Sequence, residues 1–174
     1  MGYSVAVVRP ACRDDAASLY RIRRDCELWL EARRIAQWGI GEVSVDDVSA
    51  QIDAGDWFVG LNAAGVVIGG LRYLVVDGDV WPDARGDGAR YVHGLMVDRR
   101  LAEAGTGAFL LSWAEARAAA EGAHVMRLDC VESNQRLREF YRGRGYGEAG
   151  RRDFDGPWFS ATLFEKPLIP SSRL

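Results

Sequence analysis

Few groups in this chain suit acid, base or nucleophilic work: Tyr141, His93 and Cys130, with Gly105 and Gly107 placed to shape an anion site. Gly105-Thr106-Gly107 opens a helical pattern. Such a turn exposes backbone N–H groups at the positive end of a helix dipole, which suits a phosphate or pyrophosphate. Taken alone, a loop needing two permissive residues is the more ordinary explanation. No Gly-Lys-Ser/Thr follows, which excludes a Walker A loop, and a dinucleotide fingerprint lacks its third glycine and acidic ribose partner. Tyr141 shares a helix face with Leu137 and Phe140 by the i, i+3, i+4 rule, so it reads either as a core tyrosine or as a proton donor. Asn134 stands where it can cap that helix. Strand alternation places Tyr91, His93, Leu95 and Val97 on one face. An unperturbed imidazole pKa near ~6.5 would let His93 collect a proton at neutral pH. A partly buried structural histidine reads the same way. Cys130 closes a neighbouring strand without an evident base and reads as a buried thiol.

The elements that must position these groups follow from periodicity and turn chemistry. A strand at 4–9 stops at Pro10, and a helix from Asp14 or Asp15 runs toward Leu30. A second helix spans 45–52, opened by Ser44 with Asp47 three residues on and closed by Gly55. Strands at 57–61 and 66–76 flank the turn Asn62-Ala63-Ala64-Gly65. Residues 77–90, rich in Asp, Gly and Pro, read as a solvated loop; their spacing does not match a calcium loop. Then come a strand at 89–97, a helix at 107–121, a strand at 124–130, a helix at 134–142 and strands at 146–154 and 159–166. The order β-α-α-β-β-β-α-β-α-β-β implies an α+β domain with a mixed sheet, expected to span 1–174 as one unit.

Composition narrows the class of function. The chain has 174 residues, 48% hydrophobic and 27% charged, which is ordinary for a globular domain and excludes disorder and membrane-spanning classes. Its formal net charge is −3, with arginines interleaved among acids, so no basic stripe marks a nucleic-acid surface. Cys12, Cys26 and Cys130 form an odd, scattered set, as expected of free thiols in a reducing compartment. With only His93 and His124 as histidines and no metal-ligand spacing, no metal site is expected. The N-terminal residues lack a signal-peptide pattern, and a cytoplasmic location is expected.

Together the two glycine- and tyrosine-bearing stretches resemble the GNAT acetyltransferases. Leu95-Met96-Val97 matches the family's strand end, Gly105 and Gly107 its turn glycines, and Leu110-Leu111 and Trp113-Ala114-Glu115 its following helix. Asn134, Tyr141 and Gly145-Tyr146 keep the family's order and spacing. The chain departs from the pattern at the turn, where the usual Arg/Gln falls at Ala102 and the next glycine at Glu103.

The resemblance implies acetyl-CoA as co-substrate and a small-molecule or peptide amine as acceptor, joined by direct attack within a ternary complex. It places Leu95, Met96, Val97, Ala104, Gly105, Thr106, Gly107, Ala108, Asn134 and Tyr141 around the cofactor. A backbone N–H near Met96 or Val97 would polarise the thioester carbonyl, Tyr141 would protonate the departing thiolate, and His93 is the candidate base. Backbone donors of 104–108, with Arg99 or Arg100, would replace the missing turn cation, and Glu103 would face solvent. Glu27, Trp29, Glu31, Trp38, Glu42 and Trp81 fall on the expected acceptor side, a combination suited to a cationic amine. The alternative is a non-catalytic acyl-CoA-binding module on the same fold, favoured by Ala102 and Glu103 and opposed by Asn134 and Tyr141. Exposed C-terminal strands would also allow a homodimer.

Overall fold

The computed structural model describes residues 2–83, 86–156 and 158–169; Ala84 and Arg85 of the expected loop lie outside the described residues. Among the described residues, β1 (Val7–Pro10), a short 3-10 turn, α1 (Ala16–Ala32) and α2 (Val45–Asp53) are followed by the hairpin β2 (Trp57–Leu61) and β3 (Val67–Leu74). Then come β4 (Ala89–Val97), α3 (Thr106–Ala120), β5 (Val125–Val131), α4 (Gln135–Gly143), β6 (Gly147–Arg152) and β7 (Ala161–Pro167). The strands form one seven-stranded sheet in the order β1-β2-β3-β4-β5-β7-β6. Every neighbouring pair is antiparallel except β4–β5. This is the mixed sheet that the element order implies, here mostly antiparallel and flanked by helices.

Each face of the sheet carries a core. On one, α1 buries Leu19, Ile22 and Cys26 with Trp57, Val59 and Met96. On the other, α3 buries Leu110, Leu111, Ala114 and Ala118 with Phe58, Leu71 and Val92, and Tyr141 and Phe164 complete the cluster. Each fully buried leucine contributes about 1.5–3 kcal/mol relative to exposure. The local signals hold where side chains meet backbone. Ser44 Oγ accepts the Asp47 N–H at 3.1 Å while Asp47 Oδ2 accepts the Ser44 N–H at 2.8 Å, closing the expected capping box. The first strand is shorter than expected, because the chain before it is drawn away into a bridge between Tyr3 and Ala102.

Two irregularities set up the site. The parallel pairing of β4 with β5 runs only from Ala89 opposite Val125 to Tyr91 opposite Arg127. Beyond that point the strands part, leaving one edge of each without a ladder partner. The second irregularity is a bulge in β4: Gly70 faces Met96 and Arg72 faces His93, so one residue of β3 spans two of β4. Gly94 takes φ +58 there, in the left-handed region where a side chain would be strained. The extra residue reverses the alternation. His93 stays on the α1 face opposite Arg72, whereas Leu95 and Val97 turn to the α3 core. The expectation of one face for Tyr91, His93, Leu95 and Val97 therefore fails at Gly94.

Candidate active site

A cavity of about 360 Å³ opens where β4 and β5 part, between the α1–α2 connection and α4. Its wall includes Leu95, Met96, Val97, Gly107, Asn134 and Tyr141, six of the residues expected around a cofactor, together with His93. Ala104, Gly105, Thr106 and Ala108 lie in the turn and first helical positions at α3.

Backbone geometry decides which amides are available. The Asp98 N–H donates to Ile68 O at 2.8 Å, across the ladder to β3. Strand alternation then turns the Val97 N–H and carbonyl toward the open edge, while the Met96 N–H points back to β3. The Val97 carbonyl accepts from Cys26 Sγ at 3.6 Å. At the turn, Gly105 caps α3 with φ +94. The Thr106 N–H donates to Glu103 O at 3.3 Å and the Phe109 N–H to Gly105 O at 2.9 Å. The N–H groups of Ala104, Gly105, Gly107 and Ala108 have no backbone partner among the described residues. Four of the five expected donors are thus free, and Thr106 is engaged.

Charge at this mouth comes from outside the turn. Arg99 and Arg33 both lie over the Trp29 ring, at 3.5 and 4.3 Å from its centroid. Burial, then the fields of Arg33 and Arg136, lower the Arg99 pKa against the opposing influence of Cys26. None of these three arginines has an ion-pair partner among the described residues. Arg100, by contrast, is tied to Asp25 at 2.7 Å. Glu103 is exposed, and its N–H donates to Tyr3 O at 3.1 Å.

Deeper in, Asn134 Oδ1 accepts the Leu137 N–H at 3.2 Å, so it does cap α4. Its Nδ2 also donates to Gln37 Oε1 at 3.1 Å, and Gln37 accepts the Val131 N–H at 3.2 Å. Gln37, from the α1–α2 connection, thereby ties the end of β5 to the start of α4. The ring of Tyr141 packs against Tyr146 and Phe164, with centroids 5.9 and 5.7 Å away. Its hydroxyl has no hydrogen-bond partner among the described residues. Burial, reinforced by the fields of Cys130 and Asp129, pushes the phenol pKa up, so it carries its proton at neutral pH. Cys130 is buried against the α3 core with its thiol pushed up to about 12, chiefly by burial, and is no nucleophile.

His93 does not have the unperturbed imidazole assumed from sequence. Its Nε2 lies 2.5 Å from Asp77 Oδ2 and 3.6 Å from Asp129 Oδ1. Burial disfavours the cation, but the bond to Asp77 and the fields of Asp129 and Asp77 outweigh it and raise the pKa. Asp77 is buried, so the aspartates of its loop are not all solvated. Burial raises the Asp129 pKa; His93 opposes that and Asp77 adds to it. His93 also borders a second cavity of about 300 Å³, lined by Asp56, Arg72 and Asp77.

The expected acceptor-side acids and aromatics are largely occupied. Glu27 is fully buried on Arg23 and Arg24, at 2.8 and 2.5 Å, and Glu42 pairs with Arg23 at 3.0 Å. Arg23 covers Trp38 and Arg127 covers Trp81. Ion pairing and stacking within the chain leave these residues little to offer a cationic amine. The polar groups sequence reasoning missed are Asp129, Asp77, Gln37 and Arg136. Only Asp129 left a signal: it alternates with Leu128 and Cys130, which marks the polar side of a strand but not a cavity.

A seven-stranded mixed sheet that parts between β4 and β5, over an anion-ready helix start and a proton-bearing tyrosine, defines an acyl-CoA-dependent acyltransferase architecture. The chain belongs to the Acetyltransferase (GNAT) family, which residues 16–146 match. It is 32% identical over 164 residues to the uncharacterized N-acetyltransferase YesJ of Bacillus subtilis (strain 168), covering 91% of this chain and 88% of that one. A GNAT-family acetyltransferase from Listeria monocytogenes superposes with a TM-score of 0.75 at 26% identity, over 93% of this chain and 94% of that chain. The Salmonella typhimurium protein yncA, a putative acetyltransferase solved with its cofactor acetyl-CoA, shares the fold with a TM-score of 0.68 at 21% identity, over 97% and 96% of the two chains. No helix among the described residues is long and apolar enough to cross a membrane.

Proposed function

We propose that the protein moves the acetyl group of acetyl-CoA to a primary amine, by direct attack of the amine on the thioester within a ternary complex. The observation that carries this reading is Tyr141: a buried tyrosine at the parted strands, lining the cavity, with no partner for its hydroxyl among the described residues. A core tyrosine normally satisfies that group. Here it is left for a ligand, and a proton-bearing phenol can supply the departing thiolate.

The surrounding groups fit the other tasks. The free amides of Ala104, Gly105, Gly107 and Ala108 suit the pyrophosphate, with Arg99 and Arg136 supplying the charge that Ala102 and Glu103 do not. The Val97 N–H at the open edge suits the thioester oxygen, and a donor in that role typically contributes about 3–4 kcal/mol. His93 and the aspartates around it stand where the acceptor ammonium must lose a proton. The three cysteines are free, in keeping with a cytoplasmic location, and β6 forms an exposed sheet edge on which a homodimer would pair.

Tyr141→Phe tests the reading. Removing a hydroxyl that has no partner leaves the melting temperature and CoA affinity close to wild type. Turnover on an amine that the wild type acetylates falls at least tenfold, in kcat rather than KM, since acid catalysis is worth about 10²–10⁴-fold. Lost stability with undiminished turnover per folded molecule would return Tyr141 to the core and remove the acid from the mechanism.

A further inference from the structure

We propose that Asp129 takes the proton from the acceptor ammonium, and that His93, fixed by Asp77, is the positioning residue that stands against the Asp129 carboxylate. The assignment rests on the amine-acetylation reading above and names the base within it.

Its geometric basis is the parting of the strands. Arg127 is the last residue of β5 paired with β4, and its guanidinium reaches Tyr91 Oη at 3.1 Å on the α1 face. Asp129, two residues on, projects to that same face beyond the last rung of the ladder. There it lines the cavity with Asn134 and Tyr141. Its carboxylate accepts no hydrogen bond among the described residues, and its one ion-pair partner among them is His93 Nε2 at 3.6 Å. A carboxylate so placed has lone pairs left for a ligand. His93, in contrast, has Nε2 committed to Asp77 at 2.5 Å. Two carboxylates on one imidazole favour its cationic form, which cannot accept a further proton but can stabilise a neighbouring carboxylate.

The other groups around this centre are accounted for by element. From β3, Arg72 faces His93 and is neutralised by Asp56 at 2.7 Å. From the loop after β3 come Asp77 and the exposed Asp79. From α4 comes Tyr141, and from α1 the thiol of Cys26, which donates to Val97 O. None places a second cation beside Asp129. Burial and Asp77 raise the Asp129 pKa while His93 restrains it, which makes the carboxylate a stronger base than one in water.

The step balances as follows. One ammonium N–H bond breaks and its proton passes to an Asp129 carboxylate oxygen. The freed nitrogen lone pair forms the C–N bond at the thioester carbon. The C–S bond then breaks, and the leaving sulfur takes the Tyr141 phenolic proton. The second proton lost by the attacking nitrogen restores Tyr141, and Asp129 returns its own to solvent.

Two measurements test the assignment. The first needs no acceptor: the His93 imidazole is titrated by NMR in wild type, Asp129→Asn and Asp77→Asn. Both substitutions lower the His93 pKa, Asp77→Asn more, whereas equal values in all three would overturn the coupling. The second is the pH profile of kcat/KM for the amine the wild type acetylates best, with CoA-induced melting shifts showing that each variant folds and binds. Asp129→Asn lowers kcat/KM at least a hundredfold and removes the acid limb. His93→Gln keeps an acid limb displaced to higher pH, because Asp129 has lost its cation. If Asp129→Asn stays within a few-fold of wild type while His93→Gln abolishes the limb, His93 is the base and the assignment is wrong. If the wild type binds CoA but acetylates no amine, the function proposed above fails, and this assignment falls with it whatever the NMR coupling.

Discussion

The charges carried by α1 and those around the neighbouring cavity differ in whether they have partners. Glu27 sits fully buried between Arg23 and Arg24 and also accepts the Gly41 N–H at 3.0 Å, so all its charge is spent inside the protein. A few residues away, Arg33 and Arg99 share the ring of Trp29 with no carboxylate partner among the described residues, and Asp129 and Tyr141 line the cavity. Both regions mix acids, arginines and tryptophans, and composition alone does not separate them. The first is closed and holds the α1–α2 connection in place. The second lines a cavity, and we propose that a ligand completes it. Partner count, rather than residue type, tells structural charge from functional charge here.

That contrast is broken most directly at Glu27. Replacing it with Ala leaves Arg24 without its counter-charge and Arg23 with Glu42 alone. Loss of one member of a buried pair costs about 3–5 kcal/mol. Arg24 is 28% exposed and relaxes toward water, so the lower end of that range applies. For a domain of this size the melting temperature falls on the order of 10 °C. Scanning calorimetry checks it. CoA affinity of the folded fraction changes little, since Glu27 is not among the residues lining the cavity; an affinity loss larger than the stability loss would place Glu27 in the site.

Arg99→Gln is the converse case. Its guanidinium has no acidic partner among the described residues to abandon, and burial among like charges already works against it. The melting temperature of the free protein stays level or rises. CoA affinity falls about tenfold, equivalent to 1.4 kcal/mol, as one charge-assisted contact is lost. Calorimetric titration at two salt concentrations checks this: the variant should also show a weaker salt dependence. Affinity unchanged at both would mean that the turn amides alone hold the anion.

How much of this was legible beforehand follows the range of the interactions. Elements fixed by local signals came through nearly intact: the Ser44–Asp47 box, the strand 57–61, the strand 89–97 and the Asn134 cap were readable from a few consecutive residues. The order of Leu95–Val97, Gly105, Gly107, Asn134 and Tyr141 pointed to the family, and the cavity gathers all of these but Gly105, which caps the adjoining helix. Relations across the chain were not readable. The Gly94 bulge reverses the face of everything after it, and alternation gives no warning because Leu95 and Met96 are both apolar. Gln37 reaches a partner 97 residues away, and Asp77 reaches His93 from a segment whose composition says only loop. Glu27 and Trp38 looked suited to a cationic substrate because their own arginines were invisible as partners.

The smallest effect belongs to Glu103, the acid that replaces a family glycine in the turn. Its side chain is exposed and its backbone is held by the Tyr3 carbonyl. A unit charge in water acts weakly on a pyrophosphate several ångström off: about 1 kcal/mol at 4 Å in bulk water, less with distance and salt. Replacement by Gly would confuse the test, because a glycine two residues before the left-handed Gly105 also frees the unfolded chain, at a cost of about 0.4–1 kcal/mol. Glu103→Gln removes the charge and keeps the backbone. CoA binding should tighten by no more than about threefold at low salt, and the difference should vanish near 0.5 M salt as the Debye length shrinks to about 4 Å. A tightening of tenfold or more that survives salt would show the carboxylate turning into the anion site when CoA binds. Weaker binding would give Glu103 a favourable contact with the cofactor, and the turn's departure from the family pattern would then be an adaptation rather than a tolerated change.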